Sequence, residues 1–440
     1  MTASPARSLI GLFLVLAATV AAAAAPAKRT AWVGATVFDG TGAAALPDRV
    51  VLVRDDRIEA VLPAAGFHAA SDVAVVDLHG KFVIPGLVNT HVHLATSAKP
   101  DAARAYLRRE IYSGVTAVRD MAGDVRLLGE LKREAQFDEI ASPDIFYVAL
   151  FAGPEFFQDP RTHEAARGGV AGEVPWMQAI TRDTDLRLAI ARAKGTGATA
   201  IKVYADVAPS LLAAVTREAH AQGLLVWSHA AVFPARPGDA VEAGVDVVSH
   251  ACMLGYEVTD PMPPRVPHPI IPVDVRRLAQ HGERVDALLA RMKARGTILD
   301  ATLFVYATDD SGVDCTYALA AQLGGRAVAA GVAISTGTDD EPGDYPGPWS
   351  GLLKEIALLH DDAGMARADA LRAATLTGAR AIGRERDMGT LEAGKLANFV
   401  VLDADPLADL RALGSVSTTV KNGVAYERRA YRAEADAAPN

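Results

Sequence analysis

Residues 82–93 read Phe82-Val83-Ile84-Pro85-Gly86-Leu87-Val88-Asn89-Thr90-His91-Val92-His93, an apolar run that ends in two histidines one residue apart. A stretch apolar on both faces is what a strand covered by helices on either side requires. Seven further runs of this kind follow, at 115–118, 145–151, 200–204, 224–227, 245–248, 297–305 and 332–335. Helical periods separate most of them, at 102–112, 125–135, 210–222, 279–294, 317–330 and 349–360. Eight buried strands with intervening helices predict an α/β fold, a (β/α)8 TIM barrel, with an open doubly wound sheet as the alternative. Barrel chemistry belongs to the loops at the C-terminal ends of the strands. Three long irregular stretches occupy such places, at 152–185, 254–272 and 339–348, and the aromatic content of the first suggests a lid.

Outside the barrel the periodicity changes. Residues 30–86 alternate apolar and polar in short runs with Gly and Asp turns, and the tail repeats that style around an Asn422-Gly423 hairpin turn. Neither end is long enough for its own core, so one small β-sandwich assembled from both ends is the economical reading. The expected boundaries are 26–86 and 384–430 for the sandwich and 87–383 for the barrel. Ahead of them, Arg7, the apolar run 9–20 and the alanines before Pro26 have the form of a secretory signal peptide over residues 1–25. The expectation is export, secreted or periplasmic, with no stable membrane anchor, because no later segment is apolar for 18 uninterrupted residues.

Of the 440 residues 50% are hydrophobic and 22% charged, which gives ample material for a core and excludes a disordered chain. The net charge of −9 and the absence of a Lys/Arg block exclude nucleic acid as a partner and leave a small-molecule substrate. The two cysteines, Cys252 and Cys315, are too few for a disulfide scaffold or a thiolate zinc site, though they could form one bridge. Self-association into a homo-oligomer is compatible with this composition.

Chemistry-bearing residues gather at strand ends. His91 and His93 follow the first run and share a face, since residues two apart in a strand do so. Lys202 lies in the fourth, His229 ends the fifth, His250 ends the sixth and Asp339 ends the eighth. One histidine at a strand end is ordinarily a hydrogen-bonded core or surface residue. Four converging on one rim with a carboxylate suit zinc or a similar divalent ion. His68, His79, His220, His268, His281 and His360 fall on turns or helix surfaces instead.

Lys202 and Tyr204 alternate with Ile201 and Val203, so the lysine points inward with the tyrosine one step nearer the rim. An inward lysine must be paired or lose its charge. Spacing alone favours an ordinary ion pair, with Asp206 or Glu155 as partner. A neutral amine could instead add carbon dioxide and become a carboxylate-like carbamate. No P-loop or nucleophile-elbow motif occurs, and residues 195–200, which mimic a dinucleotide fingerprint, precede a strand instead of following one.

Val88–His93, Lys202, His229, His250 and Gly337-Thr338-Asp339, with residues 82–87 and 389–402, resemble the amidohydrolase superfamily over about residues 30–425. The similarity is to the imidazolonepropionase-like branch that includes bacterial Xaa-Pro dipeptidases. It implies a barrel with a composite β-sandwich and two divalent metal ions, zinc being the expected element. The implied ligands are His91, His93, His229, His250, Asp339 and a carboxylated Lys202 that takes up carbon dioxide and bridges the ions. Asp339 would also be the catalytic base. Two departures concern the substrate: Ala231 stands where dipeptidase members carry a Tyr, and residues 150–153 lack a His that some of them use.

The expectation is therefore an exported binuclear metal-dependent hydrolase of an amide-type bond, in a dipeptide, an N-acyl amino acid or a cyclic amide. The alternatives are a lactonase or ester hydrolase on the same centre and a barrel that binds metal without turnover. Tyr204, His163, Arg161 and Tyr256 are the expected substrate contacts, with Phe157, Tyr306 and Trp349 behind them. Asp340 and Glu341 compete with Asp339 for the role of base, but they lie past the strand end and are expected to face solvent or the lid.

Overall fold

Both faces of the apolar runs are covered, and that burial closes them into a ring. In the computed structural model, which describes residues 28–266, 271–308 and 315–433, eight strands pair in sequence order and in parallel. They are Leu87–Val92, Val115–Asp120, Asp144–Ala152, Ala200–Val203, Leu225–His229, Val247–Ser249, Ile298–Asp300 and Ile334–Ser335. The last meets the first through Thr90 N–H to Thr336 O at 2.9 Å, Asp339 N–H to His91 O at 2.9 Å and His93 N–H to Asp340 O at 3.1 Å. An open sheet would leave those edges unpaired, so the doubly wound alternative is excluded.

Helices pack outside the ring, among them Pro100–Tyr112, Val125–Gln136, Leu186–Gly195, Pro209–Ala221, Gly282–Arg295, Tyr317–Ala330 and Leu352–Asp361. Their starts follow local chemistry: Asp124, Asp185 and Thr316 accept from the backbone N–H of Arg126, Leu188 and Leu319, and prolines open the first and fourth. Among the described residues, no helix is long and apolar enough to cross a membrane.

Three expected elements are divided. The first run, from Phe82, splits at Gly86: Phe82–Pro85 pairs antiparallel with Phe399–Leu402, and only Leu87 onward enters the barrel. Gly86 permits the crossing because a Cβ there would lie 2.1 Å from Thr116 Oγ1. The run 297–305 is strand only to Asp300, since Thr302 turns the backbone left-handed at φ 51° and Leu303–Thr308 is helical. The helical period 279–294 breaks at His281 into Val275–Gln280 and Gly282–Arg295.

The second sheet joins both ends of the chain, as expected. Its order runs Val424–Glu427, Val416–Lys421, Phe399–Leu402, Phe82–Pro85, Arg29–Val37, Leu46–Arg54 and Arg57–Pro63, with Val73–Asp77 also on Arg29–Val37. It has its own apolar core, where Trp32 meets Phe399 edge-on at 5.3 Å. The signal peptide expected at 1–25 lies outside the described residues, as does His268.

The segment 152–185 is built into the barrel rim. Met177–Ala179 pairs in parallel with Leu150–Ala152, because the third strand outlasts the second and exposes an edge there. Cys252 and Cys315 form a disulfide with Cα atoms 6.1 Å apart. It ties the turn after the sixth strand to the start of the helix Tyr317–Ala330.

Candidate active site

At the C-terminal mouth of the ring, His91 and His93 both reach Asp339: His91 Nε2 lies 3.0 Å and His93 Nε2 2.9 Å from the same oxygen, Oδ1. His250 Nδ1 is 3.8 Å from Oδ2 of that carboxylate. Ligand-capable atoms of His91, His250 and Asp339 all lie within 4.8 Å of one another. The His229 ring is 4.7 Å from that of His250, and Lys202 is fully buried beneath the group. The structure thus brings together all six residues singled out at the strand ends.

Lys202 pairs with neither Asp206 nor Glu155. Glu155 holds Arg265 at 2.9 Å, Asp206 accepts from Val266 N–H, and Lys202 Nζ lies 3.4 Å from Ser249 Oγ. Burial pushes the lysine down to about 8, against the pull of Asp339 and Asp300. About a tenth of the amine is therefore neutral at pH 7, far more than for an exposed lysine. Burial also drives His229 well below the ordinary range and His250 down to about 3. Burial opposes charge on His91 too, but Asp339 and Asp300 outweigh it and raise that ring to about 8. For Asp339 burial is outweighed by His91, His93 and His250, which hold its carboxyl well below the usual range. His229 and His250, held neutral, beside the ionised Asp339 are donors a divalent cation takes, and a bound cation would displace the proton that Asp339 and Asp300 hold on His91.

Two supporting groups escaped the sequence reading. Asp300 Oδ2 is 2.7 Å from His91 Nδ1, and Thr302 Oγ1 is 2.9 Å from His250 Nδ1. Partners of this kind orient ligating histidines. The signal for Asp300 was its place at a strand end, hidden because the run 297–305 was read as one strand.

A cavity of about 240 Å³ opens above the cluster, lined in part by His93, Leu150, Phe156, Arg161, Met177 and Tyr204. Asp339, Glu341 and Asp344 line it as well. Tyr204 packs 4.1 Å from the His229 ring and 4.5 Å from Phe156, and the Arg161 charge acts on its hydroxyl. Arg161 is fixed in turn by Asp159 at 2.7 Å.

Two other expected substrate contacts are placed elsewhere. Tyr256 is buried against Phe233 with its hydroxyl donating to Ile271 O, because the turn Ala251–Val258 folds inward under the rim. His163 sits on the outer side of the short helix Pro160–Ala165, with Nε2 2.9 Å from Phe157 O. Asp340, expected to face solvent or the lid, is buried and bonds to Tyr106, whereas Glu341 lines the cavity.

Residues 82–425 match the sequence profile of the amidohydrolase family. The imidazolonepropionase of Symbiobacterium thermophilum is 25% identical over 414 residues, covering 87% of this chain and 90% of that one. A solved Xaa-Pro dipeptidase with methionine bound in its active site superposes with a TM-score of 0.68 at 20% identity, covering 91% of this chain and 100% of that one. Phenylurea hydrolase B superposes at 0.71 and 20% identity, covering 91% and 97%. Barrel, strand-end cluster and profile agree over most of the length: the chain belongs to the amidohydrolase family and is a hydrolase acting on carbon–nitrogen bonds.

Proposed function

We propose that the protein is an exported, binuclear metal-dependent hydrolase of an amide bond in a small molecule bearing one carboxylate and one apolar group. The observation that carries this reading is the convergence of His91, His93 and His250 on Asp339, with His229 alongside and Lys202 buried below without a carboxylate at ion-pairing distance among the described residues. Those residues fit a metal centre: Asp339 holds the imidazole nitrogens together where a cation would sit, and Lys202 has a position suited to a carbamate. Zinc suits the nitrogen-rich donor set.

Two divalent ions bound there would lower the pKa of a water toward about 7 and polarise the scissile carbonyl. Asp339, ionised and at the cavity edge, would accept the water's proton and return it to the leaving nitrogen. Asp300 and Thr302 hold the rings of His91 and His250 in orientation. Leu150, Phe156 and Met177 offer an apolar wall, while Arg161 and Tyr204 present a cation and a hydroxyl to a single carboxylate. N-acyl amino acids and dipeptides have those two features. The imidazolonepropionase relatives favour a cyclic amide as the third class to assay. Export is supported by the form of residues 1–25 and by the Cys252–Cys315 disulfide, which suits an oxidising compartment.

The test is elemental analysis of purified protein, joined to a hydrolysis screen of N-acyl amino acids, dipeptides, cyclic amides and lactones. About two divalent ions per chain with amide turnover is the expected result. One ion or none overturns the binuclear centre, and turnover of lactones alone overturns the amide assignment.

A further inference from the structure

Asp339 and Asp340 are adjacent carboxylates that point in opposite directions. Asp339 has φ 56°, a left-handed conformation that residues other than glycine seldom hold without support, and its side chain turns to His91 and His93. The support comes from its neighbour. Asp340 is 3% exposed and absent from the cavity wall, and its Oδ1 accepts from Tyr106 Oη at 2.6 Å and from Thr338 Oγ1. Arg109 Nη2 stands 3.8 Å from the other oxygen. Thr338 is held by Asn89, whose amide donates to its hydroxyl at 2.9 Å and accepts from its N–H at 3.2 Å.

The same helix, Pro100–Tyr112, grips the rim further along. Arg109 Nη1 donates to Tyr345 O at 2.6 Å, and Glu110 accepts from Ser350 Oγ at 2.7 Å. The beginning, middle and end of the segment 340–350 are therefore anchored to one rigid element. Glu341 and Asp344, which line the cavity, lie between those anchors.

We propose that Asp340, gripped by Tyr106 and Arg109, is a positioning residue that locks the left-handed turn at Asp339 and so sets the metal affinity of the histidine cluster. This rests on the metal-site reading given above. The function assigned to Asp340 is acceptance of hydrogen bonds, which an amide can also perform; proton transfer would require the acid.

The experiment is zinc affinity of the full chain by competition with a chromophoric chelator, with circular dichroism to confirm folding. Asp340→Ala and Tyr106→Phe should weaken zinc binding about 10–100-fold, the usual effect of losing a group that orients a metal ligand. Asp340→Asn, which keeps the acceptor oxygen, should recover most of the loss. Tyr106→Phe keeps the ring packing and carries the test if Asp340→Ala does not fold. Wild-type affinity in a folded Asp340→Ala or in Tyr106→Phe overturns the inference, as does an Asp340→Asn no better than Asp340→Ala. Wild-type protein that takes up no zinc or other divalent ion overturns the metal-site reading itself, a result distinct from either.

Discussion

Asp300 Oδ2 lies 2.7 Å from His91 Nδ1, and both side chains are buried, at 0% and 1% exposure. A carboxylate oxygen accepts, so Nδ1 carries the hydrogen and Nε2 is left to face Asp339 and a bound cation. Thr90 Oγ1 donates to the other Asp300 oxygen at 2.9 Å, which fixes the plane of the carboxylate. Asp300→Ala should weaken metal binding about 10–100-fold. A chelator competition titration reads this directly, and unchanged affinity would remove Asp300 from the site.

Lys202→Ala should lower the metal content from about two ions per chain to about one. Added formate or acetate should partly restore the second ion and the rate, because either could supply the carboxylate that a carbamate provides. Elemental analysis with and without the additive checks it. Full metal and full rate in the variant would reject the carbamate.

Asp339→Asn should leave the fold intact and reduce kcat by about 10²–10⁴, the share expected of a general acid–base. The amide cannot take the water's proton, although it can still bond the imidazoles. Steady-state kinetics on any substrate from the screen reads the loss. A collapse in Glu341→Gln with Asp339→Asn unaffected would move the role to Glu341, which also lines the cavity.

Tyr204→Phe and Arg161→Ala should raise KM for carboxylate-bearing substrates while metal content stays as in the wild type. The two groups line the same cavity and interact electrostatically, so their effects should be less than additive. A double-mutant cycle on kcat/KM measures the coupling. Wild-type kinetics in both variants would place the pocket elsewhere.

Glu355 is buried, and burial raises its carboxyl from 4.5 to about 8, although Oε2 accepts from Phe304 N–H at 2.7 Å. The folded protein holds this proton at pH values where the unfolded chain has released it. Its contribution to stability therefore falls as pH rises from 4.5 through about 8, with a slope of up to about 1.4 kcal/mol per pH unit. Glu355→Gln keeps the acceptor and removes the proton, so denaturant melts of the variant should lose less stability than wild type across that window. Parallel pH profiles would reject the shift.

The barrel and its metal-ligand candidates were legible because they depend on short-range regularities. A run apolar on both faces announces a doubly covered strand, and a polar residue at its end announces the rim, whichever neighbour it later meets. Tyr204 was legible for the same reason, since alternation with Ile201 and Val203 fixes its face. Tyr256 and His163 were not, because both lie in long connections whose direction no period constrains. Tyr256 turned into the core and His163 out to the surface.

The order of the strands, the side each faces and the six residues at their ends followed from the chain itself, through periods of two and 3.6 residues that are properties of the backbone. What the tertiary structure alone decided were meetings between residues far apart in sequence. Asp300 behind His91 is separated from it by 209 positions and Tyr106 beneath Asp340 by 234, so neither pair leaves a local pattern. The strand end already singled out Asp339 for the cluster, but that Asp340 turns inward to Tyr106 instead of out to solvent was decided there. A left-handed turn at Asp339 sends one to the histidines and the next to the helix, and that turn is held by contacts made only when the ring closes.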